Sequence, residues 1–422
     1  MDEEKLLKKK KNNIKIYKIY RIFSFDLLFY FTTIYLFLIS QKGMSPADVL
    51  QFDAFYILFK FIVQIPCTLL IQKFGKRNSL AFANLVGVIH IILIIIAPNY
   101  GVLILSQLLC AITFVVRSTC ETDMLYDSLE HNEERGHKFA KIDGRANAIY
   151  YYAEAISALI SGFLYVLNPF IPMILCTVTL FVAFILSLKF EEIHTEKKKM
   201  HIKEEIKTLR LGGKAVMRSR RLMCLVLFNA LSIGMIKIVQ NIRNTELLEV
   251  GLPEQYFGIV FAIFALATGI SARCQGRIHK RFKNKTLSIL SLPTATAILL
   301  SGIVILFDIP VVVSVIIVAV LLMVNSMSKG PFMILIKRYL NNFTNSEKRV
   351  RIATVNNMFE NAIASALIFG ASLILGEINI AYTAIFIGGC FIITYTLLLD
   401  YMKTKVGLKP EEYSDREILK ND

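Results

Sequence analysis

Twelve apolar stretches, each about as long as a membrane-spanning helix, determine what this chain can fold into. They lie at about 17–40, 47–71, 79–97, 102–128, 141–167, 170–190, 221–249, 254–276, 286–307, 311–339, 349–375 and 379–401. A helix needs about 20 apolar residues to cross the hydrocarbon core of a bilayer. Because 55% of the residues are apolar and only 19% are charged, the sequence predicts an all-α membrane protein with twelve transmembrane helices.

The basic residues predict how these helices are oriented. Alternate connections carry Lys and Arg, at 73–77, 135–141, 191–221, 277–285 and 337–351, whereas the opposite loops are short and five of them are marked by proline. The positive-inside rule then places both termini in the cytoplasm. We expect the protein to lie in the inner or plasma membrane of a cell. This topology accounts for the net charge of +16, so nucleic acid is not an expected partner.

Two features recur at half the chain length. A basic turn between two apolar helices occurs at 73–77 and again at 277–285, with Phe74 and Phe282 separated by 208 residues. Pairs of Arg and Glu nine residues apart recur with an offset of 206 residues; they are Arg145 with Glu154, and Arg351 with Glu360. The agreement of the two offsets predicts a duplicated half-chain, and hence two six-helix bundles related by pseudo-symmetry.

The predicted organisation has five parts. A cytoplasmic arm covers 1–16, an N-terminal six-helix bundle 17–190, a central cytoplasmic linker 191–220, a C-terminal bundle 221–401 and a cytoplasmic tail 402–422. The linker is rich in Lys. Two interpretations of it stay open: an amphipathic segment around 200–216 on the inner membrane surface, or a solvated connection.

The turn after the second apolar stretch resembles a motif of the major facilitator superfamily, approximately G-x-L-A-D-R-x-G-R-K. Aligning the later glycine of the motif on Gly75 places Lys73 at its first arginine. Lys76 and Arg77 take the final basic pair, and Gln72 replaces the aspartate. In the family that aspartate holds a charged latch across the cytoplasmic face, whereas Gln72 offers hydrogen bonds without a charge.

Residues 121–129, followed by Arg145, resemble the region between the fourth and fifth helices of bacterial permeases of the same superfamily. Two interpretations stay open: Asp127 and Arg145 pair while the cytoplasmic gate is closed, or both are exposed charges. Arg351 is the counterpart of Arg145 in the second half. The resemblance implies two bundles that rock about a central site, a monomer, and alternating access driven by a solute or ion gradient.

Three acidic residues inside predicted spans are candidates for proton coupling: Asp26, Glu154 and Glu360. At a rise of 1.5 Å per residue, Glu154 and Glu360 lie roughly 13 Å beyond the Arg residues that begin their helices, close to the middle of a core about 30 Å thick. Burial generally raises the pKa of a carboxyl group towards the working pH. A structural carboxylate bonded to a neighbouring helix is the alternative. Asp26 is favoured by the resemblance, because many proton-coupled exporters of the superfamily carry an acid in the first helix.

Basic and amide side chains within the spans are candidates for a substrate cavity. They are Arg117, Lys237, Gln240, Asn241, Asn325 and Asn357. The cations could bind an anionic or carbonyl-bearing substrate. Alternatively Arg117 neutralises Glu121 at i+4, and for Arg243 we favour a simple pair with Glu246 at i+3.

The sequence contains no nucleotide-binding, hydrolase or zinc motif, so we expect no catalytic residues, no metal and no cofactor. The resemblance implies a secondary transporter with three kinds of partner: the bilayer, a small-molecule substrate, and protons or another coupling ion. We favour export of small amphipathic compounds, because 30 Phe, 17 Tyr and 13 Met residues provide side chains that can repack around varied ligands. Two alternatives stay open: an uptake symporter for an organic anion or sugar, and a receptor or scaffold that does not transport.

Overall fold

The computed structural model describes residues 3–24, 26–130, 135–193, 210–214, 216–342 and 346–406. These residues are almost entirely helical, and no β-strand occurs among them. The α-helices are α1 Glu3–Ser24, α2 Ile34–Lys42, α3 Pro46–Phe74, α4 Lys76–Ile96, α5 Tyr100–Ser128, α6 Arg135–Leu167, α7 Phe170–Leu188, α8 Arg220–Glu249, α9 Phe257–Arg273, α10 Gln275–Phe282, α11 Thr286–Ile305, α12 Val311–Asn342, α13 Ser346–Glu377 and α14 Ile380–Tyr401. Most of the predicted central linker and of the predicted C-terminal tail lies outside the described residues.

Eleven helices in the described part of the chain are long and apolar enough to cross a membrane. They are α3, α4, α5, α6, α7, α8, α9, α11, α12, α13 and α14. The predicted all-α membrane fold is therefore confirmed, and eleven of the twelve predicted spans correspond to continuous helices. The first predicted span, 17–40, does not.

Two helices with a non-helical segment between them replace the expected first span. α1 ends at Ser24 and α2 begins at Ile34. The backbone N–H of Leu27 donates to the Asp26 side chain over 3.0 Å, so this carboxylate competes with a helical carbonyl for a backbone donor. Phe29 adopts a φ of 65°, a conformation that costs energy for a residue with a Cβ. The expectation of one continuous helix was therefore wrong.

The chain divides into two compact units. Unit 1 comprises Met1–Gly43, Phe55–Ile202 and Gln255–Ile259, and unit 2 comprises Met44–Ala54, Lys203–Glu254 and Val260–Asp422. This division differs from the predicted halves by the exchange of two short segments. In unit 1, a Cβ at Gly162 would lie 2.7 Å from the Gln255 carbonyl oxygen. In unit 2, the Ser365 hydroxyl donates to the Ala54 carbonyl over 3.0 Å.

The same packing pattern occurs inside each unit. In unit 1, α4 packs against α5 and α7, and α1 packs against α5, α6 and α7. In unit 2, α11 packs against α12 and α14, and α8 packs against α12, α13 and α14. The neighbours of α8 and α11 in unit 2 thus include the counterparts of those that α1 and α4 have in unit 1. This agrees with the duplication predicted from the sequence.

Glycines allow α11 and α14 of unit 2 to approach closely. A Cβ at Gly388 would lie 2.7 Å from the backbone nitrogen of Leu299 and 2.9 Å from the carbonyl oxygen of Ala295. At the next residue, Gly389, a Cβ would meet no atom within 4 Å. Small residues at helix crossings are how membrane proteins gain van der Waals contact between backbones.

We expect Gly388→Ala to destabilise the protein by about 1–3 kcal/mol, the usual cost of overpacking. The added methyl group would collide with the α11 backbone, which cannot move aside as a flexible side chain would. The measurement is the fraction of a fluorescent fusion protein that stays monodisperse in detergent after heating. Gly389→Ala is the matched control and should lose no stability; equal melting temperatures for the two variants would contradict the close crossing.

Candidate functional site

A buried carboxylate, that of Glu121 on α5, lies at the centre of the polar network in unit 1. Its side chain is only 2% exposed. Arg117 Nε donates to Oε1 over 3.2 Å, and the Tyr20 hydroxyl donates to the same oxygen over 2.8 Å. Arg21 Nη1 bonds to Oε2. Two guanidinium groups and one phenol thus replace the water that this carboxylate loses on burial.

Further hydrogen bonds extend this network from α1 to α6. Arg21 Nε donates to Asn147 Oδ1 over 3.0 Å and lies 3.9 Å from Asp143 Oδ1. The Tyr17 hydroxyl donates to Asp143 over 2.6 Å. Asn84 Nδ2 on α4 donates to the Tyr20 hydroxyl over 2.9 Å. The network therefore ties α1 to α4, α5 and α6 within unit 1.

The guanidinium group of Arg117 is only partly used by these bonds. Its side chain is 1% exposed, and Cζ lies 5.1 Å from the ring centre of Phe114. Among the described residues, Nη1 and Nη2 have no hydrogen-bond partner. The predicted pairing with Glu121 is present, and two buried donors are left over. A role for Arg117 in substrate binding stays a prediction.

Asp26 and Glu154, two of the predicted proton-coupling residues, lie in the same region of unit 1. Both are half-buried. Their charges and that of Arg117 act on the Tyr150 side chain, and Asp26 also acts on Arg117. The three residues, which the sequence proposed separately, are thus close enough to Tyr150 to interact with its side chain electrostatically. Their roles in proton coupling stay predictions.

Glu360, the third predicted proton-coupling residue, has an amide environment in unit 2. The Asn229 side chain on α8 donates to Glu360 Oε2 over 3.2 Å and to Asn356 Oδ1 over 3.1 Å. Asn229 and Asn356 are buried, and Glu360 is half-buried. The sequence analysis did not select Asn229, although an asparagine within an apolar span was a usable signal.

A second cluster in unit 2 joins α3 to α8. The Asp53 carboxyl group interacts with the Asn241 side chain and with the charge of Lys237. Lys237 and Asn241 were predicted cavity residues, whereas Asp53 was missed. The signal for Asp53 was its position inside the second predicted span, because an ionisable residue there is costly without a partner.

The other predicted cavity residues lie in different surroundings. Asn325 is 3% exposed, Gln240 is half-buried and Asn357 is exposed. The prediction that Arg243 pairs with Glu246 is wrong. Arg243 Cζ lies 4.0 Å from the ring centre of Phe261, where cation–π attraction holds it. Glu246, which is 0% exposed, accepts a hydrogen bond from Ser301 over 3.1 Å.

Gly75, the motif glycine, begins α4 with a φ of 84°. The backbone N–H groups of Lys76 and Arg77 donate to the two Glu192 carboxylate oxygens over 3.0 and 2.8 Å. A Cβ at Gly75 would lie 3.1 Å from Glu192 Oε1. Glu192 therefore caps α4 and places a negative charge at its N-terminus, and Gly75 leaves room for it.

The charged side chains near this turn pair differently from the sequence-based hypothesis. Lys76 Nζ lies 2.6 Å from Asp127 and 3.4 Å from Asp123. Arg135 approaches Asp127 to 4.0 Å, whereas the Arg145 side chain is exposed. In this conformation Lys76, and not Arg145, is the close basic partner of Asp127. Of the other motif residues, Gln72 is half-buried, Lys73 is exposed, and the Arg351 side chain lies outside the described residues.

Within the described residues, no group of three or more His, Cys, Asp or Glu side chains is placed to hold a metal ion.

Comparisons with known proteins agree with this architecture. A family model described as Major Facilitator Superfamily matches residues 20–369. No curated protein sequence matches the chain. The solved structure of the nucleoside transporter NupG has a TM-score of 0.74 at 11% identity, covering 94% of this chain and 100% of that one. A POT family transporter in complex with 5-aminolevulinic acid has a TM-score of 0.64 at 14% identity, covering 92% and 95%.

Glu192→Ala should destabilise the protein by about 1–2 kcal/mol, the typical cost of losing a helix cap with its charge. Heating in detergent, followed by size-exclusion chromatography of a fluorescent fusion, measures this loss. Glu191→Ala is the matched control, because the Glu191 carboxylate makes a partly exposed ion pair with Lys9 at 3.4 Å, a kind of pair that contributes little. If both variants melt like the wild type, Glu192 is not a functional cap.

Proposed function

The chain belongs to the major facilitator superfamily, and on that premise we propose that it is a proton-coupled secondary active transporter that works by alternating access. The observation that carries this proposal is the Glu360 carboxylate, half-buried on a membrane-spanning helix and bonded by the neutral amide of Asn229. An ionisable group at such a position is costly and commonly belongs to an ion pathway. The Asn229 amide can bond a protonated acid as well as a carboxylate, because it carries both hydrogen-bond donors and an acceptor.

We propose export of small amphipathic compounds as the first candidate activity. Several aromatic rings of unit 1 are half-buried: Phe114 lies 5.1 Å from Arg117 Cζ and 6.1 Å from the Tyr56 ring, and Phe55 stacks on Phe59 at 5.9 Å. Aromatic side chains beside charged groups suit solutes with an apolar body and a polar end. The proton gradient would drive this export, with protons moving in the opposite direction to the solute.

Uptake symport of an organic anion is the second candidate, and Lys237 favours it. This half-buried lysine on α8 lies beside Asp53. If Asp53 takes up a proton, its attraction for Lys237 is lost and the ammonium group becomes available to an anionic solute. The sugar alternative is weaker, because the chain has no Trp on which a sugar ring could stack. Solved structures of nucleoside and POT family transporters support solute transport by this fold without indicating the solute.

The remaining features of the proposal come from the sequence. We propose that the protein functions as a monomer in the cell membrane, with both termini in the cytoplasm. A receptor or scaffold that does not transport would have no use for charged clusters inside the spans, which argues for movement of a solute.

Purified protein in vesicles that enclose a pH-sensitive dye would test these candidates. Lipophilic cations, nucleosides, peptides and organic anions are added in turn under an imposed proton gradient. Solute entry with proton counterflow supports the exporter, and solute entry with protons in the same direction supports the symporter. If no solute moves protons or accumulates, the transport proposal fails.

Glu360→Gln should lower gradient-driven accumulation at least about ten-fold, because glutamine keeps the hydrogen bond to Asn229 but cannot carry a proton. Exchange of pre-loaded solute, which needs no net proton movement, should stay measurable. Glu377→Gln is the control on the same helix, since Glu377 is exposed at the end of α13. Glu154→Gln, measured in parallel, tests the counterpart in unit 1. Full accumulation by the Glu360 and Glu154 variants would remove both residues from the coupling pathway.

A further inference from the structure

We propose that the basic segment between α9 and α11, in unit 2, binds the phosphate groups of anionic phospholipids at the membrane surface. Six Lys and Arg side chains lie in this segment, and all six are exposed: Arg273, Arg277, Lys280, Arg281, Lys283 and Lys285. Lipid binding here does not depend on which solute the protein moves.

The positive charge of this segment has no acidic counterpart nearby. The sequence has no Asp or Glu between Glu254 and Asp308. Among the residues that the structure describes, none of the six cations takes part in an ion pair. In the corresponding turn of unit 1, by contrast, Lys76 pairs with Asp123 and Asp127. The charge of the unit 2 segment is therefore not balanced within the described part of the chain, and it favours an anionic partner.

The short helix α10 presents its cations on one face. His279 lies on the opposite face, where its Nδ1 is 2.8 Å from the hydroxyl oxygen of Tyr339 on α12. Tyr339 is 0% exposed, so this contact holds the His279 face of α10 against the interior of unit 2. Arg277, Lys280 and Arg281 have the i, i+3 and i+4 spacing of a single helix face, and that face is exposed.

The start of α11 adds to the positive potential of the segment. α11 begins at Thr286, its N-cap residue is Lys285, and its first turn contains no acidic residue. The N-terminus of a helix carries a partial positive charge, which attracts anions and repels cations. At α4, the counterpart of α11, the Glu192 carboxylate provides the anion. A bound phosphate group would take that place at α11 and also balance Lys283 and Lys285.

The location of the segment identifies a lipid as the source of the phosphate. Both α9 and α11 are long and apolar enough to cross a membrane, and only residues 274–285 connect them. Because this connection is short, its side chains stay close to the lipid headgroups. The positive-inside rule makes this the cytoplasmic surface, and Lys and Arg beside membrane spans attract anionic headgroups there.

Native mass spectrometry of the purified full-length protein in detergent tests the proposal, with phosphatidylglycerol and phosphatidylcholine of identical acyl chains as probes. We expect phosphatidylglycerol to bind at least about ten-fold more tightly, because only this lipid has a net negative charge. The combined variant Arg277→Gln, Lys280→Gln and Arg281→Gln should bind phosphatidylglycerol at least about five-fold more weakly and phosphatidylcholine as before. Equal binding of the two lipids, or unchanged binding by this variant, would overturn the proposal.

A charge-matched control separates this face from the net charge of the protein. Lys8→Gln, Lys10→Gln and Lys11→Gln together remove three positive charges from the part of α1 that precedes the first predicted span. These residues lie farther along the chain from a span, so phosphatidylglycerol binding should change less than about two-fold, given the short range of screened charges. A loss equal to that of the α10 variant would show that net charge attracts the lipid, and would refute the assignment.

Two further variants distinguish a lost charge from damaged folding. Arg277→Lys with Arg281→Lys keeps both charges and should retain phosphatidylglycerol binding; a loss as large as that of the glutamine variant would contradict an electrostatic site. Lys283→Gln with Lys285→Gln changes the start of α11 and leaves α10 intact, and it should weaken binding as well. Unchanged binding there would remove the α11 terminus from the site.

Glycerol 3-phosphate, which carries the phosphate group without acyl chains, distinguishes a lipid from a soluble phosphate compound. We expect it to leave phosphatidylglycerol bound when both are present at equal concentration, because it lacks the acyl chains that hold the lipid in the detergent micelle beside the protein. Displacement of the lipid under these conditions would assign the segment to a soluble phosphate compound and would overturn the proposal.

Discussion

The Glu121 carboxylate and its three donors fix the position of α1 within unit 1. Apolar helix surfaces can slide past one another in a membrane with little change in energy, because lipid tails and leucine side chains are equally apolar. Hydrogen bonds from Tyr20, Arg21 and Arg117 remove that freedom. An ion pair of this kind adds little stability compared with well-packed apolar side chains, but losing one partner costs about 3–5 kcal/mol. The network therefore selects one position of α1 relative to the helices that it contacts.

The break after α1 depends on this position. Tyr17, Tyr20 and Arg21 occupy the last two turns of α1, and the helix ends three residues later at Ser24. Residues 26–33 form a bend and turns and not a continuous helix, although they lie in the middle of a predicted span. Non-helical backbone at that depth is tolerable only where protein or a cavity surrounds it. The break therefore leaves Asp26 outside a helix, and its charge acts on Arg117 of the same network.

The spans and the duplication could be predicted because both depend on patterns that extend over many residues. Apolar runs of about 20 residues identify a membrane helix whatever its neighbours are. The break in the first span was hidden, because the residues after Asp26 are as apolar as those of a continuous helix. The predicted pair of Arg243 and Glu246 failed for a different reason, although the two residues have the i+3 spacing. Arg243 stacks on the Phe261 ring, and Glu246 bonds to the Ser301 hydroxyl. Lys76 and Asp127 are likewise 51 residues apart, a distance that no local pattern encodes.

Duplication has preserved the positions of Glu154 and Glu360 but not their surroundings. Glu360 accepts from the amide of Asn229, whereas Glu154 lies in a region of unit 1 that also contains Asp26 and Arg117. In unit 1 the nearby groups are charged, so protonation of one carboxyl group changes the attraction among the charges that remain. In unit 2 the Asn229 amide, which bonds Glu360, can serve a protonated acid as well as a carboxylate, because it carries both donors and an acceptor. The two carboxyl groups therefore have different neighbours, a difference that their matching positions in the sequence did not reveal.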